Sequence, residues 1–267
     1  MTLFHLILVA VLQGVTEFLP ISSSGHLILL PGLTGLADQG LAIDVAVHVG
    51  TLAAVVLYFW SDVREAVLGV PRLLTGRADT PGARLALLLL VATLPVIAAG
   101  LALRLAGLDA ALRSVVVIGW TTLGFGVLLW VADRFAPAAR AAEGWSLRHA
   151  AILGLWQAVA LIPGTSRSGI CITGARFLGY TRHGAAKLAM LMSIPTILAS
   201  GGLLAIEVAA EADAALARDG AIAAGFAFVA ALAALTLMMR LLRSVSFTPY
   251  VLYRIALGSA LLIWAYA

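Results

Sequence analysis

The feature of this sequence that most restricts its fold is a set of six apolar runs, at 42–60, 83–105, 111–132, 184–207, 220–242 and 249–267. A hydrocarbon layer of about 30 Å is crossed by roughly 20 residues of helix, and each run meets that demand. Lipid offers no partner to a free backbone group, so a spanning segment is either a helix or a strand of a closed barrel. Barrel strands alternate apolar and polar residues, whereas Leu85-Ala86-Leu87-Leu88-Leu89-Leu90-Val91 does not. Composition agrees: 62% of the 267 residues are hydrophobic, 11% are charged, and mean hydropathy is +1.06. A soluble domain carries about 25% charged residues. The expected fold is an all-α polytopic membrane protein, a single integral membrane domain over 1–267 with six transmembrane helices.

The net charge of +4 would point to nucleic acid only if it were clustered. Here it is dispersed over short loops, where it sets orientation instead, so nucleic acid is not expected as a partner. Twelve of the 17 basic residues fall on one set of loops: Arg64, Arg72, Arg77, Arg84, Arg134, Arg140, Arg148, Arg176, Arg182, Lys187, Arg240 and Arg243. Arg104, Arg113 and Arg218 lie on the other set, and Arg167 and Arg254 on neither. The positive-inside rule puts the first set in the cytoplasm and turns the acidic loop of Glu207, Glu211, Asp213 and Asp219 outward.

This orientation is self-consistent only if segments 1–36 and 147–179 enter the membrane without crossing it. Each is interrupted, the first at Pro20-Ile21-Ser22-Ser23-Ser24-Gly25 and the second at Pro163-Gly164-Thr165-Ser166-Arg167-Ser168-Gly169. Polar backbone at membrane depth is tolerated only inside protein or beside a wet cavity, so two re-entrant helix–loop–helix hairpins are expected. A shift of 144 residues aligns Gln13 with Gln157, Val15 with Val159, Ser22 with Ser166, Ser24 with Ser168 and Gly25 with Gly169. With three long helices after each hairpin, the alignment suggests an inverted-topology repeat, approximately 1–132 and 147–267. Such repeats place a ligand where the broken helices meet.

A helix that starts after a break presents unpaired N–H groups and a dipole that favours an anion. Hydroxyls of Ser22, Ser23, Ser24, Thr165, Ser166 and Ser168 surround those starts, with Gly25 and Gly169 leaving the backbone open. Arg167 adds a planar cationic fork suited to phosphate oxygens. The set describes an anion site within a membrane and does not by itself separate phosphate from carboxylate. Glu17 and His26 flank the first break, and both carry protons near neutral pH. Ser23 precedes His26 by three residues, a spacing that suits a hydroxyl nucleophile beside a base. Each side chain also admits a structural reading, as cap or helix bridge. His48, early in the first long run, faces either the site or a neighbouring helix. Cys171, the single cysteine, reads as a small packing residue.

The stretch Gln13-Gly14-Val15-Thr16-Glu17-Phe18-Leu19-Pro20-Ile21-Ser22-Ser23-Ser24-Gly25-His26 resembles the first signature of the undecaprenyl-diphosphatases associated with bacitracin resistance. Pro163-Gly164-Thr165-Ser166-Arg167-Ser168-Gly169 resembles their second, and the likeness covers essentially the whole chain. It implies hydrolysis of the polyprenyl pyrophosphate lipid undecaprenyl pyrophosphate to the monophosphate carrier and inorganic phosphate, in the bacterial inner membrane, at a site open to the periplasm. Carried over by residue, Glu17 and His26 are catalytic, Ser23 is the proposed nucleophile with water as the alternative, and Arg167 binds phosphate. The resemblance also implies a divalent cation (Mg or Ca) and a homodimer. Glu17 would be its carboxylate ligand, with Gln13 standing where many members have a second carboxylate. The chain departs again at His183-Gly184-Ala185-Ala186-Lys187, which reads as a solvated edge without a role. Inverted repeats and broken helices are transporter architecture too, so a lipid-phosphate flippase or secondary transporter is the alternative. A carrier would not require Glu17, Ser23, His26 and Arg167 together.

Overall fold

The computed structural model describes residues 1–108, 112, 114–211 and 214–267, with the main chain alone for 203–211. Arg113 and Asp213, counted among the loop charges above, lie outside the described residues, as do the side chains of Glu207 and Glu211. Eleven α-helices and no strand form among the described residues. They are α1 (Leu3–Phe18), α2 (Ser23–Thr34), α3 (Leu41–Tyr58), α4 (Trp60–Leu74), α5 (Pro81–Leu105), α6 (Val115–Phe135), α7 (Leu147–Val159), α8 (Arg167–Phe177), α9 (Arg182–Glu211), α10 (Ala214–Leu241) and α11 (Thr248–Tyr266).

Six of these are long and apolar enough to cross a membrane: α3, α5, α6, α9 over Arg182–Gly202, α10 and α11. They are the six expected runs with shifted ends. The third starts at Val115, where the Ser114 hydroxyl accepts from Val117 N at 3.1 Å. The fifth starts at Ala214 and carries Arg218 and Asp219 inside its helix. Hydropathy marks only the apolar stretch, while the hydrogen-bond ladder continues through its polar ends.

Two expectations are corrected. Segment 61–84, read as a loop, contains α4, whose Ala66 and Gly69 turn inward with helical spacing. Gly69 lies against the main chain of Gly82 and Ala83, so α4 and the start of α5 touch backbone to backbone. His183–Lys187 is not a solvated edge: Gly184, Ala185 and Ala186 are buried in the first turns of α9, and only His183 is exposed. Lys187 Nζ reaches Asp62 Oδ1 on α4 at 2.7 Å.

α9 is the inner helix, with 61% of its spanning window buried against 22% for α5 and α11. Its Leu188, Met190, Leu191 and Met192 meet Phe18 of α1 and Ile170 and Ile172 of α8 in the main core. α10 lies across α1 and α3, α5 across α4 and α7, and α11 along α6. Small residues permit these approaches where lipid supplies no hydrophobic drive. A Cβ at Gly14 would lie 2.7 Å from both Ala227 O and Ala230 Cβ of α10.

One end of the bundle is tied by buried Asp133 near the end of α6. Its carboxylate accepts from Arg182 Nε at 2.7 Å and Phe247 N at 3.1 Å, and lies 3.4 Å from Arg176 Nε. Arg176, counted above among loop charges, is only 2% exposed. Its guanidinium donates to the carbonyls of Asp133, Ala136, Pro137 and Tyr180.

Candidate active site

Pro20 ends α1. The residue before a proline is driven out of the helical region, and Leu19 is extended at φ −68° and ψ 143°. Ser22 then turns the chain at φ 75° and caps α2, its hydroxyl accepting from Gly25 N at 3.4 Å. The second break repeats this geometry. Ser166 sits at φ 70° and caps α8, accepting from Gly169 N at 3.2 Å. These are the only described non-glycine residues with positive φ, a strained conformation that persists only where surroundings over-determine it. The caps also match in their hydroxyl pairs: Ser22 Oγ is 3.5 Å from Ser24 Oγ, and Ser166 Oγ 3.2 Å from Ser168 Oγ.

Each cap is followed at once by a residue that reaches Glu17. Ser23, first in α2, donates through Oγ to Glu17 Oε2 at 2.6 Å. Arg167, first in α8, donates through Nη2 to Glu17 Oε1 at 2.5 Å. Gln13, one turn earlier on α1, donates through Nε2 to Oε2 at 2.9 Å. Glu17 is 8% exposed and Gln13 fully buried. The two breaks are joined directly as well, since Ser168 Oγ donates to Leu19 O at 3.0 Å. The two breaks thus form one assembly, in which the first residues of two helices bring a hydroxyl and a guanidinium to one carboxylate.

Two polar atoms there are conspicuous. Arg167 Nη1 and Gln13 Oε1 are buried and have no hydrogen-bond partner among the described residues. Buried Thr165 Oγ1 is a third. Leaving a buried donor unsatisfied costs about 1–3 kcal/mol, more for a charged group. The fork of Arg167 thus keeps one buried edge without a partner among the described residues.

His26 stands apart from this centre. Its Nδ1 lies 2.6 Å from Ser22 O and its Nε2 2.6 Å from Tyr253 Oη. A carbonyl can only accept, so Nδ1 carries the proton. In neutral imidazole Nε2 then accepts from the Tyr253 hydroxyl. The hydroxyl–base pair expected of Ser23 and His26 is made by Ser23 and Glu17 instead. His48, which the sequence left open, faces the site: Nε2 is 3.9 Å from Glu17 Oε2, with Nδ1 2.7 Å from Asp44 O. Ser24 is exposed, Gly25 and Gly169 are buried beneath the caps, and Cys171 is buried.

Sequence reasoning missed Arg254. It lies inside α11, is 0% exposed, and donates to carbonyls of both breaks. The available signal was an arginine within an apolar run, since an intramembrane charge marks function by default.

A family model described as bacitracin resistance protein BacA matches residues 6–260. The sequence is 73% identical over 267 residues to an undecaprenyl-diphosphatase of Dinoroseobacter shibae, covering 100% of both chains. It is 71% identical to an undecaprenyl-diphosphatase of Ruegeria pomeroyi, again over 100% of both. An undecaprenyl-diphosphatase of Maricaulis maris is 49% identical over 99% of both chains.

Proposed function

The chain belongs to the bacitracin resistance protein BacA family, and from that premise we propose how its site performs the reaction. The protein is a multi-pass membrane enzyme that hydrolyses undecaprenyl pyrophosphate to undecaprenyl phosphate and inorganic phosphate, and so supports bacitracin resistance. The observation that carries the mechanism is the Glu17 carboxylate, which joins Ser23 Oγ at 2.6 Å to the Arg167 guanidinium at 2.5 Å.

The pyrophosphate is received by the two helix N-termini and by the unpartnered edge of Arg167. Ser23 Oγ attacks the terminal phosphorus while its proton passes to Glu17. The bond from that phosphorus to the bridging oxygen breaks, and the lipid monophosphate leaves with the bridging oxygen. Glu17 gives its proton up to the departing lipid phosphate. Water then attacks the phosphoserine phosphorus, Glu17 taking a proton from it and returning it to Ser23 Oγ as the bond to that oxygen breaks, and inorganic phosphate departs. His26 supports the step from the flank, holding the Ser22 carbonyl and with it the strained peptide that presents Ser23. Ser22, Ser24, Thr165, Ser166 and Ser168 supply the polar lining.

A divalent cation fits this site if the substrate supplies most of its ligands. Among the described residues no three acidic, histidine or cysteine side chains cluster. Glu17 and the free Gln13 Oε1 offer two neighbouring oxygens, and magnesium keeps waters and phosphate oxygens beside few carboxylates. When bound, the ion would neutralise charge on the pyrophosphate.

We further propose that α1–α2 and α7–α8 are re-entrant hairpins of an inverted repeat over 1–132 and 147–267. The matched caps and dihedrals support it, and so does the order of contacts. α1 meets α10 as α7 meets α5, and α3 meets α10 as α9 meets α5. With basic loops inward, the site opens to the periplasmic side of the inner membrane. A homodimer completes the proposal on the family resemblance alone.

The test is phosphate release by purified protein from a polyprenyl pyrophosphate, with Glu17→Gln as control. Release that depends on Glu17 supports the mechanism. Bilayer translocation of the lipid without any release would favour the flippase alternative.

A further inference from the structure

We propose that Arg254 is a positioning residue for the phosphatase reaction, holding the two breaks in the register that brings Ser23, Glu17 and Arg167 together. The inference rests on the hydrolytic reading above and concerns a residue that touches none of the reacting atoms.

Arginine has five N–H donors in a planar fork, and Arg254 uses all five on main-chain carbonyls. Nε donates to Thr122 O at 3.0 Å. Nη1 donates to Pro20 O at 3.2 Å and Thr165 O at 2.9 Å. Nη2 donates to Thr121 O at 3.3 Å and Gly164 O at 3.1 Å. Pro20 belongs to the first break, Gly164 and Thr165 to the second, and the two threonines to α6. A broken helix leaves carbonyls without helical partners, and membrane depth offers no water to satisfy them. One side chain answers that need for both breaks at once.

Peptide planarity makes this a matter of orientation as well as satisfaction. In a trans peptide the C=O and N–H point in opposite directions. Fixing Thr165 O on the guanidinium therefore aims Ser166 N–H away from α11, at the start of the helix that carries Arg167. Pro20 O is fixed in the same way two residues before Ser22. α6 reinforces the arrangement, with Thr121 Oγ1 donating to Pro163 O at 2.6 Å and Thr122 Oγ1 to Gly164 O at 3.3 Å.

The space for this fork is kept clear. A Cβ at Gly126 would lie 2.9 Å from Arg254 Cβ, and one at Gly169 would lie 3.0 Å from Nη1. The preceding residue, Tyr253, holds His26, so two consecutive positions of α11 steady the surroundings of Ser23. Arg176 provides an internal comparison: it also donates to carbonyls, at four residues around the far ends of α6 and α8, but touches neither break.

The experiment compares purified wild type, Arg254→Lys, Arg176→Lys and Gly126→Ala in phosphate release from a polyprenyl pyrophosphate, alongside thermal unfolding. Lysine has three donors and strands at least two of the five carbonyls. A misplacement of about 1 Å can cost about 10²-fold in rate, so Arg254→Lys is expected to lose about 10²-fold in kcat with KM changed far less. Arg176→Lys should lower the unfolding temperature comparably yet keep turnover per folded molecule within about threefold. Gly126→Ala retains the arginine and crowds its stem, and should cost about tenfold in kcat with the fold intact; it decides the matter if Arg254→Lys does not fold. Turnover within about threefold of wild type in Arg254→Lys, or in a folded Gly126→Ala, overturns the proposal. So does a loss in Arg254→Lys that merely tracks the folded fraction as in Arg176→Lys. Absence of phosphate release by wild type would instead refute the hydrolytic reading.

Discussion

Replacing Arg167 by lysine keeps one positive charge at the start of α8 and removes the fork. In the structure Nη2 is committed to Glu17 Oε1 at 2.5 Å, while buried Nη1 has no partner among the described residues. Lysine presents one nitrogen, and a nitrogen placed for Glu17 cannot also reach a phosphate oxygen from the far edge of the fork. The expected loss is one charge-assisted hydrogen bond to substrate, about 1.5–3 kcal/mol. At about 1.4 kcal/mol per tenfold, that is a fall of roughly 10- to 150-fold in kcat/KM. Arg167→Ala also strips a buried carboxylate of its counter-ion, a disruption of about 3–5 kcal/mol, and should be worse and less stable. The assay is phosphate release at varied polyprenyl pyrophosphate, with kcat and KM resolved for both variants. If Arg167→Lys stays within about twofold of wild type in kcat/KM, the free edge of the fork does not hold phosphate and the site is misread.

Ser23→Ala should abolish turnover while leaving substrate binding, measured on the same preparation, within a few fold; substantial residual turnover would favour direct attack by water. Gln13→Ala should be tolerated far better than Glu17→Ala. It removes one hydrogen bond to the carboxylate, worth about tenfold, whereas Glu17→Ala removes the proton acceptor and the partner of Arg167. Gln13→Glu should tighten apparent metal affinity in magnesium and calcium titrations of phosphate release. Equal losses in the two alanine variants would refute that division of roles. For topology, a cysteine at exposed Ala78 should react only with a cytoplasmic thiol reagent and one at Ala212, which lies outside the described residues, only from outside. Labelling of both from one side would refute the hairpins, and buried Cys171 should stay silent throughout.

The spanning helices were legible because lipid imposes a length and an apolar content that few other contexts demand, and runs such as 83–105 satisfy both. α4 was not, because its charges looked like a loop although Ala66 and Gly69 already had helical spacing. The residues of the site were legible one at a time, through polar atoms placed where polar atoms are costly. Their pairing was not. Ser23 and His26 are close in sequence, but the turn at Pro20–Ser22 swings Ser23 back toward Glu17 and leaves His26 to Tyr253. Local spacing describes neighbours on one helix and says nothing of a partner across a break. His48 and Arg254 reach the site from helices remote in sequence, and only the folded arrangement reveals what they face. The same holds for Gly184–Ala186, which read as a solvated edge although Gly184 packs against Ala141–Ala142 and Ala185 and Ala186 join the main core.

The join between Glu17 and Arg167 spans 150 positions of chain, and Pro20 lies 234 positions from Arg254. Ribosomes deliver roughly 5–20 residues per second, so the first carboxylate waits some 8–30 s, by the same rate, for its cation. The carbonyls of the first break wait longer still, until the eleventh helix is made. Throughout that interval the α1–α2 pair carries polar groups whose folded partners have not yet been made. A chain stalled before α11 would therefore resemble a misfolded product to any protease that surveys the bilayer for unmet hydrogen bonds.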